Sequence, residues 1–131
     1  MVQLTPEQRK LIEAPNLAHF VTLMKDGSPQ VTPVWVDCDD THILINTAQG
    51  RQKPLNLARD RRVALSIADA NDIYRYIQVR GVVTEVTTDG AFEHISKLGR
   101  KYRGADYVYP QRTGEQRVII RIEPQHVSGR L

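Results

Sequence analysis

The residues best suited to chemistry lie together in Asn46-Thr47-Ala48-Gln49-Gly50-Arg51-Gln52-Lys53. A hydroxyl at Thr47, a guanidinium at Arg51 and an ammonium at Lys53 are the donors that a phosphate group recruits. The segment leaves a β-like run through Gly50 and meets Pro54, which suits the first turn of a helix, so backbone N–H groups at a helix start add to the side chains. Positive charge continues beyond it, with Arg59, Arg61 and Arg62 against Asp60 alone. Such a cluster attracts anions, whether a phosphate or a nucleic acid, and reads equally as a solvated helix face.

Other chemistries have less support. His19, His42, His94 and His126 stand far apart, and no His or Cys recurs at a metal-ligand spacing, so no metal site is expected. Neither a Gly-x-Gly-x-x-Gly after a strand nor a Walker loop is present, which sets aside the usual dinucleotide and nucleoside-triphosphate folds. Cys38, the lone cysteine, falls in the polar run Cys38-Asp39-Asp40-Thr41 with no evident base, and it has no partner for an internal disulfide. No catalytic residue is assigned.

The elements that must position the candidate donors are mostly strands. At 131 residues, 40% hydrophobic and 25% charged, with a formal net charge of +3, the chain has the size and balance of one globular domain spanning 1–131. Thr5-Pro6-Glu7-Gln8 carries the signature of a capped helix start, predicting a helix from Pro6 to Glu13. Leu17 to Lys25 alternates, with Ala18, Phe20, Thr22 and Met24 on one face, and Lys25-Asp26-Gly27-Ser28 supplies a hairpin turn. A second strand, Pro29 to Asp37, contains Pro33 and should bulge or lie partly unpaired there, leaving room for a ligand.

A third strand follows from His42 to Thr47, then a short helix ending before Asp60, and a fourth strand from Val63 to Ala68. The fifth, Tyr74 to Val86, is long and has Gly81 as a bend. Ala91, Phe92, Ile95, Leu98 and Tyr102 recur at helical spacing, with Thr88 or Asp89 as cap, Arg100, Lys101 and Arg103 near the far end, and Gly104 beyond it. After the loop from Ala105 to Glu115, strands from Arg117 to Ile122 and from His126 to Arg130 are separated by a turn at Pro124. The expectation is a mainly β fold, an antiparallel barrel of about seven strands with three helices.

With these elements in place, Thr47 to Lys53, together with Pro33-Val34-Trp35 before it and Asp60-Arg61-Arg62-Val63-Ala64-Leu65-Ser66 after it, resembles the pyridoxamine 5'-phosphate oxidase-like split-barrel family. The deazaflavin-dependent branch matches best. Tyr74-Arg75-Tyr76, Val79-Arg80-Gly81-Val82-Val83, Tyr102-Arg103-Gly104 and Tyr109-Pro110 are similar to that branch too, so the likeness runs along nearly the whole chain.

The resemblance implies a split β-barrel binding coenzyme F420, or alternatively FMN, with Thr47, Ala48, Gly50, Arg51 and Lys53 at the phosphate and Pro33, Val34 and Trp35 against the ring system. It implies a homodimer with cofactor sites at the subunit interface, where Tyr74 and Tyr76 come from the other subunit. The activity implied is hydride transfer between the deazaflavin and a small organic substrate. An FMN-dependent oxidase of the pyridoxamine-phosphate type, or a carrier or sensor that binds a flavin, a deazaflavin or haem without turnover, are the alternatives. Read without the family, Trp35 is equally a core residue, Tyr74 and Tyr76 equally cross-strand aromatics, and Arg80 an ion-paired barrel residue.

The longest apolar runs, such as Val118-Ile119-Ile120, fall far short of the roughly 20 residues of a spanning helix. The N-terminus lacks the basic and then apolar segments of a secretory signal. A cytoplasmic protein without a membrane partner is expected. A nucleic-acid partner is not, because that would need a basic face interleaved with exposed aromatics, and these aromatics mostly alternate as strand residues.

Overall fold

A computed structural model describes residues 2–108 and 115–131. Helix α1 (Pro6–Glu13) leads into strands β1 (Ala18–Leu23), β2 (Pro29–Val34), β3 (Asp37–Cys38) and β4 (Ile43–Ala48). Helix α2 (Gln52–Arg59), strands β5 (Arg62–Asp69) and β6 (Asp72–Thr87), helix α3 (Ala91–Arg103) and strand β7 (Arg117–Arg130) complete the order. Every pairing is antiparallel, and the strands form one seven-stranded sheet in the order β2-β1-β5-β6-β7-β4-β3.

That order forces the sheet to curl. Strands β2 and β3 are its two opposite edges, yet only Trp35 and Val36 separate them in the chain. Three residue steps span at most about 10 Å, so the edges must approach each other. They are not hydrogen-bonded to one another, and the barrel is therefore split along one seam. The protein is mainly β, a split barrel with three helical additions.

The alternation of side chains fills the barrel. Ala18, Phe20 and Thr22 of β1, Ile67 of β5, Ile77 and Val79 of β6, and Val118, Ile120 and Ile122 of β7 are all buried. Period-two alternation puts each set on one face, and burying a Phe or Ile side chain contributes about 1.5 to 3 kcal/mol. Strand β4 departs from alternation, with Ile43, Leu44 and Ile45 all buried, because α3 packs over its outer face. Helix α1 adds Leu11 and Ile12 to the same core. Its start is the expected capping box, with the Gln8 N–H donating to Thr5 Oγ1 at 3.1 Å and the Thr5 N–H to Gln8 Oε1 at 2.8 Å.

Several elements differ from the sequence expectation, each for a physical reason. The second strand stops at Val34, and Asp37-Cys38 pairs with β4 instead, so Cys38 is buried in a strand and not in a polar turn. Pro33 sits in regular register opposite His19 with no bulge; β2 is an edge strand, where a missing N–H donor is tolerated. Pro124 does not break the last strand, which runs continuously through it beside a register shift at Gly81 of β6. There an ideal Cβ on Gly81 would lie 2.3 Å from the Glu123 carbonyl oxygen. Helix α3 is preceded by Gly90 in the left-handed region (φ 72°), and neither Thr88 nor Asp89 caps it with a side chain. Arg80 is exposed on the outer face and makes no ion pair among the described residues. Tyr109 and Pro110 lie outside the described residues.

Candidate functional site

The end of α3 fastens the seam. The Tyr102 hydroxyl donates to the Asn16 carbonyl at 2.6 Å and accepts from the Val36 N–H at 3.1 Å. Lys101 Nζ donates to the carbonyls of Ile12 and Val36, both at 2.6 Å. Burial pushes the Lys101 ammonium down to about 8 and the Tyr102 phenol up to about 12. These groups therefore hold polar backbone atoms that the open seam would leave unpaired. The Tyr102 ring stacks on Trp35, with centroids 5.3 Å apart and planes 4° from parallel, and the Arg103 guanidinium lies 5.2 Å from the Trp35 ring.

Beside the seam lies a cleft of about 370 Å³. One side consists of Leu17 with Thr32, Pro33, Val34 and Trp35 from the β2 edge. The other carries Asn46, Thr47, Arg51, Lys53 and Arg117, with Ile95 and Tyr107 completing the lining. The cleft joins an apolar wall to a cationic one because the split brings β2 near β4 and its neighbour β7. Thr32 Oγ1 is buried and has no hydrogen-bond partner among the described residues. An unsatisfied hydroxyl in a cleft wall is a position where a ligand acceptor or donor would be favoured.

Local backbone geometry builds the cationic wall. Strand β4 ends at the buried Ala48, which pairs with Arg117 of β7, and Gly50 turns the chain with φ 84°, a conformation that favours glycine. Arg51 is the N-cap of α2 and makes no side-chain capping bond. The N–H groups of Gln52 and Lys53 have no carbonyl one turn back inside the helix, so the start of α2 keeps free donors. Lys53 is half-buried and has no ion-pair or hydrogen-bond partner among the described residues. Burial, and then the charge of Arg51, lower the affinity of its amine for a proton.

Two residues that sequence reasoning missed complete this wall. Arg117 is buried beside the cleft, and its Nε donates to Asn46 Oδ1 at 2.9 Å while Nη1 reaches Glu115 Oε1 at 2.5 Å. Glu115 also accepts from Arg51 Nη2 at 3.2 Å and from the Tyr107 hydroxyl at 3.1 Å. Asn46 Nδ2 donates to the Ala91 carbonyl at 2.8 Å and contacts His94 Nδ1 at 3.2 Å. His94 Nε2 and Lys97 Nζ each lie 3.2 Å from Asp37 Oδ2. Burial opposes ionisation of Asp37, but these bonds and the Cys38 N–H outweigh it and hold the carboxyl well below the usual range. A continuous polar chain thus runs from the cleft to the outside of α3.

Of the residues singled out in sequence, Pro33, Val34, Trp35, Thr47, Arg51 and Lys53 line one cleft. Ala48 and Gly50 shape the turn beside it without lining it. Tyr74 and Tyr76 lie on β6, away from this cleft within the chain, and Tyr74 is 74% exposed. Arg59 bonds to Asn56 Oδ1 at 2.8 Å, and Arg62 pairs with Asp60 at 2.7 Å, so neither joins the cationic wall. Among the described residues no group of three His, Cys, Asp or Glu side chains could hold a metal ion, and no helix is long and apolar enough to cross a membrane.

Comparison with known proteins agrees with this architecture. A solved structure of an F420 reductase is 30% identical, with 95% of this chain matching 98% of that one at a TM-score of 0.83. A conserved hypothetical protein from Mycobacterium tuberculosis is 23% identical (97% of this chain, 84% of that, TM-score 0.72). The HupZ protein of Group A Streptococcus is 22% identical (95% and 91%, TM-score 0.68), and these two share the fold. Among curated proteins none matches the chain. The family model for pyridoxamine 5'-phosphate oxidase matches residues 4–130, and the chain belongs to that family.

Proposed function

We propose that the cleft binds coenzyme F420 and that the protein is an oxidoreductase moving a hydride between this deazaflavin and a small organic substrate. The observation that carries the proposal is Lys53, a half-buried ammonium without a counter-charge among the described residues, beside the uncapped start of α2. A partly desolvated cation is unfavourable unless an anion arrives, and a phosphate supplies one. Thr47, Arg51 and Lys53 hold that phosphate, and Pro33, Val34 and Trp35 offer a wall for a flat ring. The orphaned Thr32 hydroxyl fits the polar edge of such a ring.

A reduced deazaflavin supplies the hydride itself, so the protein need only bind, orient and exclude water. The similarity to an F420 reductase favours the deazaflavin over FMN, which carries an equivalent phosphate. Arg61 is the one arginine of the 59–62 cluster with no side-chain partner among the described residues, and it is available to the carboxylates of the F420 tail. Such exposed contacts are worth on the order of 0 to 1 kcal/mol and are screened by salt.

The working unit is a homodimer, with Tyr74 and Tyr76 completing the partner's site. Ile73 and Tyr74 are 68% and 74% exposed, an apolar projection that a second copy would cover. Light scattering should give twice the chain mass, and a monomer that binds cofactor tightly would contradict the shared site. The functional test is parallel titration of the purified protein with coenzyme F420, FMN and haem, read by absorbance and fluorescence. Coenzyme F420 should bind most tightly at low salt, with a preference that shrinks as salt rises. Tighter binding of FMN would transfer the assignment to an FMN-dependent enzyme.

A further inference from the structure

Glu115 is the one acidic side chain on the cationic wall among the described residues, and its position there is specific. Its Oε1 takes the buried Arg117 at 2.5 Å and the Tyr107 hydroxyl at 3.1 Å, while Oε2 takes Arg51 at 3.2 Å. The carboxylate side chain is 8% exposed, as is consistent with a group held by three donors. Arg117 is already committed to Glu115 and to Asn46. Arg51 is 56% exposed at its side chain and has Glu115 as its ion-pair partner. Burial disfavours the charge on Glu115, but the hydrogen bonds and charges of Arg117, Tyr107 and Arg51 prevail and keep it ionised.

We propose that Glu115 is a built-in counter-anion, anchored by Arg117 and Tyr107, which a ligand's phosphate must displace from Arg51 in order to bind. The inference rests on the reading of the cleft as a phosphate site. A phosphate at Arg51 and Lys53 would bring like charge beside a carboxylate that already holds Arg51 Nη2. Lys53 draws the phosphate in, and Glu115 opposes its last step. Glu115 thereby lowers affinity for every anion, and a phosphorylated ligand stays bound only where its ring adds binding in the rest of the cleft. The anchor on Arg117 does not need to break, because that residue is buried and its other bond goes to Asn46.

The test is Glu115→Gln, which keeps the shape and removes the charge. Whichever of coenzyme F420 and FMN binds the natural protein is titrated into both forms, with riboflavin as the phosphate-free control. The variant should bind the phosphorylated ligand about tenfold more tightly, the equivalent of one charge-assisted contact, and riboflavin unchanged. Equal or weaker binding of the phosphorylated ligand would overturn the proposal, as would an equal gain for riboflavin. Arg51→Ala should cost more affinity when combined with Glu115→Gln than it does in the natural protein, and an equal cost would also overturn it.

If Glu115→Gln does not fold, Glu115→Asp carries the same test. It keeps a charge for Arg117 and withdraws the carboxylate by one methylene, and it should give a smaller gain of about threefold. Inorganic phosphate, read as a rise in Tm, separates the two ideas. Absence of ring-cofactor binding in all forms would refute the cofactor reading, while a larger phosphate-induced rise in the variant would still support displacement, and an equal or smaller rise would overturn it.

Discussion

Replacing Lys53 with Met should move affinity and stability in opposite directions. The side chain is half-buried, lacks a counter-charge among the described residues, and feels the positive charge of Arg51. A charge-assisted hydrogen bond to phosphate is worth about 1.5 to 3 kcal/mol. Because Lys53 keeps part of its hydration, the lower end applies, and affinity should fall roughly tenfold. Without ligand, the substitution removes repulsion from Arg51 and lets an apolar chain of similar length fill the same space. The gain is on the order of 0.5 kcal/mol, a rise in Tm of about 2 °C for a domain of this size. The sign of the pH dependence follows from the direction of the shift. The folded state binds this proton less readily than the unfolded chain, so the natural protein gains stability as pH rises toward 10.5. The Lys53→Met protein should lose that part of the rise. Thermal melts against pH, paired with cofactor titration, check both halves. A variant that binds as well as the natural protein, or that melts lower with a full alkaline rise, would refute the reasoning.

Arg51→Ala should weaken cofactor binding about tenfold in folded protein, since this guanidinium lies at the mouth of the anion wall; isothermal titration measures it. Gly81→Ala should destabilise by about 2 to 3 kcal/mol in urea unfolding, because its Cβ would fall 2.3 Å from a backbone oxygen with no freedom to yield. Asp37→Asn should cost about 1.5 kcal/mol near neutral pH, because it removes the charge from the hydrogen bonds that Lys97 Nζ and the Cys38 N–H donate to this buried carboxylate. The natural Asp37 contributes stability above its unfolded value of 3.8 that is lost as pH falls below it, so the variant's acid limb should be flatter in circular-dichroism titration.

Local signals in the sequence carried the parts of this structure that local physics decides. The capping box at Thr5, the alternation of Ala18, Phe20 and Thr22, and the helical spacing of Ile95 and Leu98 each specify an element without help from the rest of the chain. The phosphate-type segment was legible for the same reason, since Thr47, Arg51 and Lys53 are close in sequence and in the cleft. What escaped depends on contacts across the fold. Asp37 reads as the end of the second strand and Cys38 as part of a polar turn until pairing with β4 makes the two residues a sheet edge, and Pro124 reads as a turn although β7 runs on through it, with Gln125 as the extra residue at the register shift opposite Arg80 and Gly81. Arg117 joins the site through its pairing with Ala48 of β4, Glu115 through its bonds with Arg117, Arg51 and Tyr107, and the Arg117–Asn46 bond links residues 71 apart in the chain. The only local hint was a charged pair at the head of the apolar run Val118-Ile119-Ile120. Thr32 is an ordinary strand residue until the seam leaves its hydroxyl without a partner among the described residues.

The central claim is that coenzyme F420 occupies the cleft along the seam, and amide chemical-shift mapping of isotope-labelled protein tests it most directly. Adding coenzyme F420 should shift the N–H signals of Thr32, Val34 and Trp35 on one wall and of Thr47, Arg51, Gln52 and Lys53 on the other. Riboflavin should disturb the first set far more than the second, because it lacks the phosphate. Shifts that leave both walls unchanged, and gather instead on the outer face of β5 and β6 around Arg62 and Arg80, would contradict the account.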